Sequence, residues 1–166
     1  SMTFENFGTK DTTFYVKLVA NNLYTCQDSF FVPILVHPHV DADFAIEYLD
    51  QCSPAQVVFD NASVNGQEYS WTFGGDPLVT TSKAPIQREF MNTSFVNTAT
   101  IPVNLSVLSP QGCTSSKTKE VQVHHLVEAG FTGITAGCHP LEAQFNSVSS
   151  GALDYKWDFG DNTSSI

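Results

Sequence analysis

A chain of 166 residues has room for one large or two small domains, and its 42% apolar residues suffice for packed cores. Seven Lys and Arg against 17 Asp and Glu leave a net charge of −10, which repels phosphate backbones and argues against a nucleic-acid partner. No run of about 18 apolar residues occurs, so no helical membrane span is expected.

Beta-branched and aromatic residues dominate the apolar runs, and helical spacing never survives more than two turns, so the expected class is all-β. Ser1-Met2 reads as a cloning remnant, with any secretory signal expected upstream of it. Alternation and turn residues place strands at about 42–47, 55–60, 67–73, 78–81, 86–90, 99–108 and 116–124. Seven short strands in under 90 residues, with turns at "NASVNG" and "SPQG", fit a two-sheet sandwich. The last stretch, "YKWDFGD", again alternates apolar and polar residues, as a half-buried strand does.

The chain is periodic. "CSP" at Cys52 returns as "CHP" at Cys138, and "YSWTFGGD" returns as "YKWDFGDN", so that Trp71 and Trp157 are 86 residues apart. "ADF" at Ala42 matches "AGF" at Ala129. "DTTFYVKLVANNLYTC" aligns with "TATIPVNLSVLSPQGC" at an offset of 87, as does "ILVHPHV" with "VQVHHLV". Independent blocks that agree on one period indicate a repeated structural unit. Residues 41–126 then form one complete unit. Residues 1–40 correspond to the C-terminal half of a preceding unit, and 127–166 to the N-terminal half of a following one.

The constellation "ADF…C-x-P…VVFDN…YSWTFGGD…ATIPVNLSVLSPQGC…KEVQV" resembles the PKD (polycystic kidney disease) domain. The carrying motif is Trp157-Asp158-Phe159-Gly160-Asp161 and, more loosely, Trp71-Thr72-Phe73-Gly74-Gly75. Thr72 and Gly75 depart from the family's carboxylates, and "ATIPVNLSV" replaces its usual G-x-Y-x-V. The resemblance implies an Ig-like β-sandwich, an extracellular or cell-surface place with outer-membrane attachment, and work as spacer or in adhesion. With its paired cysteines the chain is similar to tandem arrays of Bacteroidetes surface proteins, including gliding-motility adhesins. Other members are accessory modules of secreted hydrolases.

Tyr69, Trp71 and Phe73, and likewise Tyr155, Trp157 and Phe159, share one face and read as core; a sugar-stacking strip is the other reading. A Cys52–Cys113 disulfide would close a loop of some 60 residues and stabilise by roughly 4 kcal/mol. The same logic leaves Cys26 and Cys138 in two incomplete units. Each such half would expose an apolar face and open strand edges, which drive association. Three outcomes follow: halves combining between chains with Cys26 bonded to Cys138, halves combining within one chain, or halves that pack less completely.

No metal ligand set is expected. His37, His39, His124 and His125 lack a third ligand at a known spacing and read as linker histidines. Asp41, Asp43 and Asp76, or Asp158 and Asp161, are the alternative for calcium, without the EF-hand spacing. G-x-S-x-G and H-E-x-x-H are absent, and Asp158-Phe159-Gly160 lacks the other protein-kinase motifs, so no catalysis is expected. The expected function is a non-enzymatic spacer and adhesion scaffold whose partners are neighbouring repeats, further copies, and a glycan or surface ligand. The alternative is a carbohydrate- or protein-binding module of a secreted hydrolase.

Overall fold

The structure, a computed structural model, describes residues 1–161 and the backbone pairing of Ser164–Ser165. The expected segment 127–166 therefore runs past the described residues at 162, 163 and 166. The fold is all-β, an Ig-like β-sandwich. Two sheets form it: β3 (Phe44–Asp50), β4 (Ala55–Asn61) and β7 (Ile86–Phe90) in the order β3-β4-β7, and β5 (Glu68–Phe73), β6 (Asp76–Thr80), β8 (Ala99–Leu108) and β9 (Thr114–Val123) in the order β6-β5-β8-β9. The other strands form three two-stranded sheets: β1 (Thr12–Asn21) with β2 (Gln27–Val36), β10 (Phe131–Gly133) with β11 (Phe145–Ser147), and β12 (Trp157–Asp158) with β13 (Ser164–Ser165).

Contacts divide the chain into two compact units. The first comprises Ser1–Ala45, Asp60–Pro85 and Pro102–Lys119, the second Ile46–Phe59, Ile86–Ile101 and Glu120–Ile166.

In the first unit, period-two patterning decides the core. Tyr69, Trp71 and Phe73 of β5 point inward with Val103, Leu105 and Val107 of β8, and all six are buried. The strands pair antiparallel, with Trp71 opposite Leu105 and Phe73 opposite Val103. Phe44 meets the Trp71 ring edge-on at 5.0 Å and 67°, and Phe73 stacks on it at 5.5 Å and 5°. Such aromatic contacts each add about 0.5–1.5 kcal/mol beyond area burial. Gly74 and Gly75 close the β5–β6 hairpin in two residues, with φ of 59° and 109°. Two consecutive positive φ values are what a tight hairpin demands, and only glycine supplies the second without strain. This turn starts β6 at Asp76, two residues before the sequence expectation.

In the second unit β4 alternates strictly: Ala55, Val57 and Phe59 are buried, with Gln56 and Val58 between them less so. It pairs antiparallel with β7, Ala55 opposite Phe90 and Phe59 opposite Ile86. Phe59 and Phe90 pack edge to face, 6.1 Å apart. Val121 and Val123 of β9 are buried there too.

Candidate functional site

Two kinds of site repeat along the chain. One is a hydrogen-bonded joint; the other is an open apolar face.

The first joint lies in the first unit. Asn6 is buried, and its amide donates to Lys10 O and Val36 O, both at 2.8 Å, while its Oδ1 accepts the Gly8 N–H at 3.0 Å. His39 N–H donates to Asn6 O at 2.7 Å. Asn65, at φ 57°, donates its side-chain amide to Gly8 O and His39 O at 3.0 and 2.8 Å. Asp41 and Val64 form a bridge, and the Ser63 hydroxyl spans the backbone of Asp43, accepting its N–H and donating to its C=O.

The second joint, in the second unit, uses the same pattern one repeat later. Buried Asn92 donates to Asn97 O and Val123 O at 2.8 and 3.0 Å and accepts the Ser94 N–H at 3.0 Å. Glu128 and Ser150 bridge, and the Ser149 hydroxyl spans the backbone of Gly130 as Ser63 spans that of Asp43. Gly151, at φ 75°, takes the place of Asn65; a Cβ there would lie 2.2 Å from Leu126 O. Sequence reading missed Asn6 and Asn92. Both sit 86 residues apart, but in "ENFGTK" and "MNTSFVN", which share little else.

The first open face belongs to the β1–β2 hairpin. Residue pairs Phe14–Ile34, Val16–Val32 and Leu18–Phe30 stand directly across from each other, so their side chains share one side. Leu18 is 67% exposed and Phe30 70%. A two-stranded hairpin of this kind is marginal alone in water. Its other side mixes Tyr15, Lys17 and Val19 with Ser29, Phe31 and Pro33.

The second open face lines a groove of about 610 Å³ built by Phe131, Phe145, Tyr155, Trp157 and Phe159 with small residues between them. Phe131 meets Trp157 edge-on at 5.4 Å and 73°, and Phe159 stacks on Trp157 at 6.4 Å and 5°. This is the Phe44–Trp71–Phe73 arrangement over again, with Phe145 in the place of Phe59. The burial is not repeated. Trp71 is 1% exposed, whereas Phe159 is 46% exposed and Tyr155 is likewise open.

The expected disulfides are not formed: Cys26, Cys52, Cys113 and Cys138 are all free. The topology gives the reason. Cys113 sits in the β8–β9 hairpin beside the entry to β3, where Ala42 N–H donates to Ser115 Oγ at 3.1 Å. Cys52 follows the exit of β3, its N–H bonded to Asp50 Oδ1 at 2.8 Å. A seven-residue strand, roughly 23 Å long, lies between those ends, and a disulfide needs Cα atoms within about 7 Å. The offset puts Cys26 and Cys138 in the same two places, so the expected Cys26–Cys138 bond meets the same obstacle.

Asp43 is the perturbed carboxylate. The Lys119 ammonium, 2.8 Å away, and then the Phe44 N–H hold its carboxyl below the usual range. Burial pushes the Tyr69 hydroxyl up. His37 Nδ1 lies 3.0 Å from Asp11, and the His39 ring packs against Phe7. Among the described residues, no three His, Cys, Asp or Glu side chains gather as a metal site. Among the described residues, no helix is long and apolar enough to cross a membrane.

No protein-family model matches the chain, and no curated protein matches it.

Proposed function

We propose that the chain is a non-catalytic segment of a repetitive extracellular protein, a stalk and adhesion scaffold of PKD-like units. One observation carries this reading: the Asn6–Val36 bond, the Ser63–Asp43 clasp and the Asp41–Val64 bridge return 86–87 residues later as Asn92–Val123, Ser149–Gly130 and Glu128–Ser150. Flexible linkers would leave those backbone groups to water. Here a buried asparagine fixes the end of each unit and a spanning serine the start of the next, and the two meet closely, through Asn65 on Gly8 O and His39 O at the first joint and Gly151 against Leu126 O at the second. The low charged fraction and net charge of −10 suit a surface that keeps neighbouring stalks apart. The two open apolar faces are then the places where chains meet head to tail, a heterologous contact that builds strings or rings.

Backbone relaxation tests the joints. Residues 37–41 and 124–128 should show order parameters near 0.85, equal to those of β8; values below about 0.6 would sink the stalk reading. Retention on insoluble polysaccharide or collagen would favour the accessory-module reading instead.

A further inference from the structure

Resting on that reading, the complete sandwich itself shows what should cover the open faces. In the four-stranded sheet, β5 lies between β6 and β8. β12 has β13 on one edge and no other strand partner among the described residues; β1 has β2 on one edge and likewise no other. We infer that β1 of one copy adds to the open edge of β12 in a second copy, giving the order β13-β12-β1-β2 in place of β6-β5-β8-β9.

The register follows from the pairs Tyr69–Val107, Trp71–Leu105 and Phe73–Val103. Carried across the repeat, they become Tyr155–Ala20, Trp157–Leu18 and Phe159–Val16. Tyr155, Trp157 and Phe159 of the groove then each receive an apolar residue of the exposed hairpin face. The alternate pairs face the other side and supply a second, independent check. Thr72 opposite Asn104 becomes Asp158 opposite Lys17, an opposite-charge pair where the complete unit has a neutral one. A slip of one residue would set Asp158 against Leu18 and turn the whole apolar face outward. Leu18 is 67% exposed, and the apolar pairs together with the Asp158–Lys17 charge match commit the occupant to the β1–β2 hairpin of a second copy.

The test uses the full chain with Cys26→Ser, Cys52→Ser, Cys113→Ser and Cys138→Ser. One preparation adds Val19→Cys, the other Lys156→Cys; these positions correspond to Ser106 and Ser70, which pair directly. Mixed and mildly oxidised, the two should give a mixed dimer, at least tenfold more than when Tyr15→Cys replaces Val19→Cys. Leu18→Asp, at a site open in the single chain, should cut the dimer yield at least tenfold and leave the fold intact by near-ultraviolet circular dichroism. With Val19→Cys and Lys156→Cys in one chain, a ladder is expected; a band of monomer mobility alone overturns the second copy in favour of closure within the chain. Equal yields from positions 15 and 19, or sedimentation as a monomer at several hundred micromolar, also overturn the inference. Those results leave the joint rigidity untouched, which the relaxation experiment reads separately.

Discussion

Leu105 stands directly opposite Trp71 on the neighbouring strand, and both are buried to about 1% exposure or less. Trp157 repeats Trp71 in its aromatic contacts, but Leu18, the counterpart of Leu105, lies open. One sequence motif therefore sits in two environments within one chain.

That contrast predicts unequal mutational costs. Trp71→Ala removes a fully buried ring and should cost about 3–5 kcal/mol of unfolding free energy. Trp157→Ala removes a ring that still borders an open groove and should cost less than half as much. Denaturant melts of dilute protein followed by circular dichroism would measure both.

The joints make a second prediction. Asn92→Ala strands the Asn97 and Val123 carbonyls and the Ser94 N–H at once. Leaving the buried Val123 carbonyl and two partly buried groups unpaired should cost about 2–3 kcal/mol. Hydrogen exchange should also quicken locally at Ser94 and Leu126, whose amide bonds to Ser94 O. Unchanged exchange there would mean the joint is not held by this side chain.

Gly75 isolates a backbone effect. Its φ is 109°, and a Cβ there would meet nothing within 4 Å. Gly75→Ala should therefore lose about 1–2 kcal/mol through conformation alone. Gly112→Ala, at φ 84° with open space as well, should behave alike.

How much of this was legible in the sequence depended on what kind of signal carried it. Alternation read β4, β5 and β8 to within a residue or two, because each buries one face and exposes the other. β3, expected at 42–47, runs from Phe44 to Asp50, since Tyr48, Leu49 and Asp50 extend the strand by backbone pairing that side-chain polarity does not report. The aromatic residues at 69, 71 and 73 were legible as one face for the same reason. Asn6 and Asn92 were not, because a buried amide looks polar and its partners are backbone carbonyls that any residue supplies. The cysteine pairing failed for a topological reason: spacing along the chain gives the loop length, but not which end of a strand each cysteine occupies.

Free thiols carry a fourth prediction. All four cysteines should react with a thiol reagent in native protein, Cys26, Cys52 and Cys138 fastest because they are exposed. Adding reductant should leave the melting temperature unchanged within about 1 °C. A drop on the order of 10 °C would instead mark a structural disulfide of about 2–4 kcal/mol.

Asp43 sets a pH dependence whose sign can be worked out. Its carboxyl is held below its unfolded value of about 3.9 by the Lys119 ammonium and the Phe44 N–H. A depressed folded value means the carboxylate contributes stability above pH ~4 and loses it as pH falls below that, through the lowered folded value. Both side chains are about a third to a half exposed, so the contribution should stay under ~1 kcal/mol. Asp43→Asn should therefore be less stable than the native chain at pH 6, and the difference should narrow as pH falls from 4 toward 2. Half-molar salt should shrink it at pH 6 as well, because the pair is open to counterions. A difference that persists unchanged at pH 2 would assign the effect to packing around Ser63 and Phe44, not to the charge.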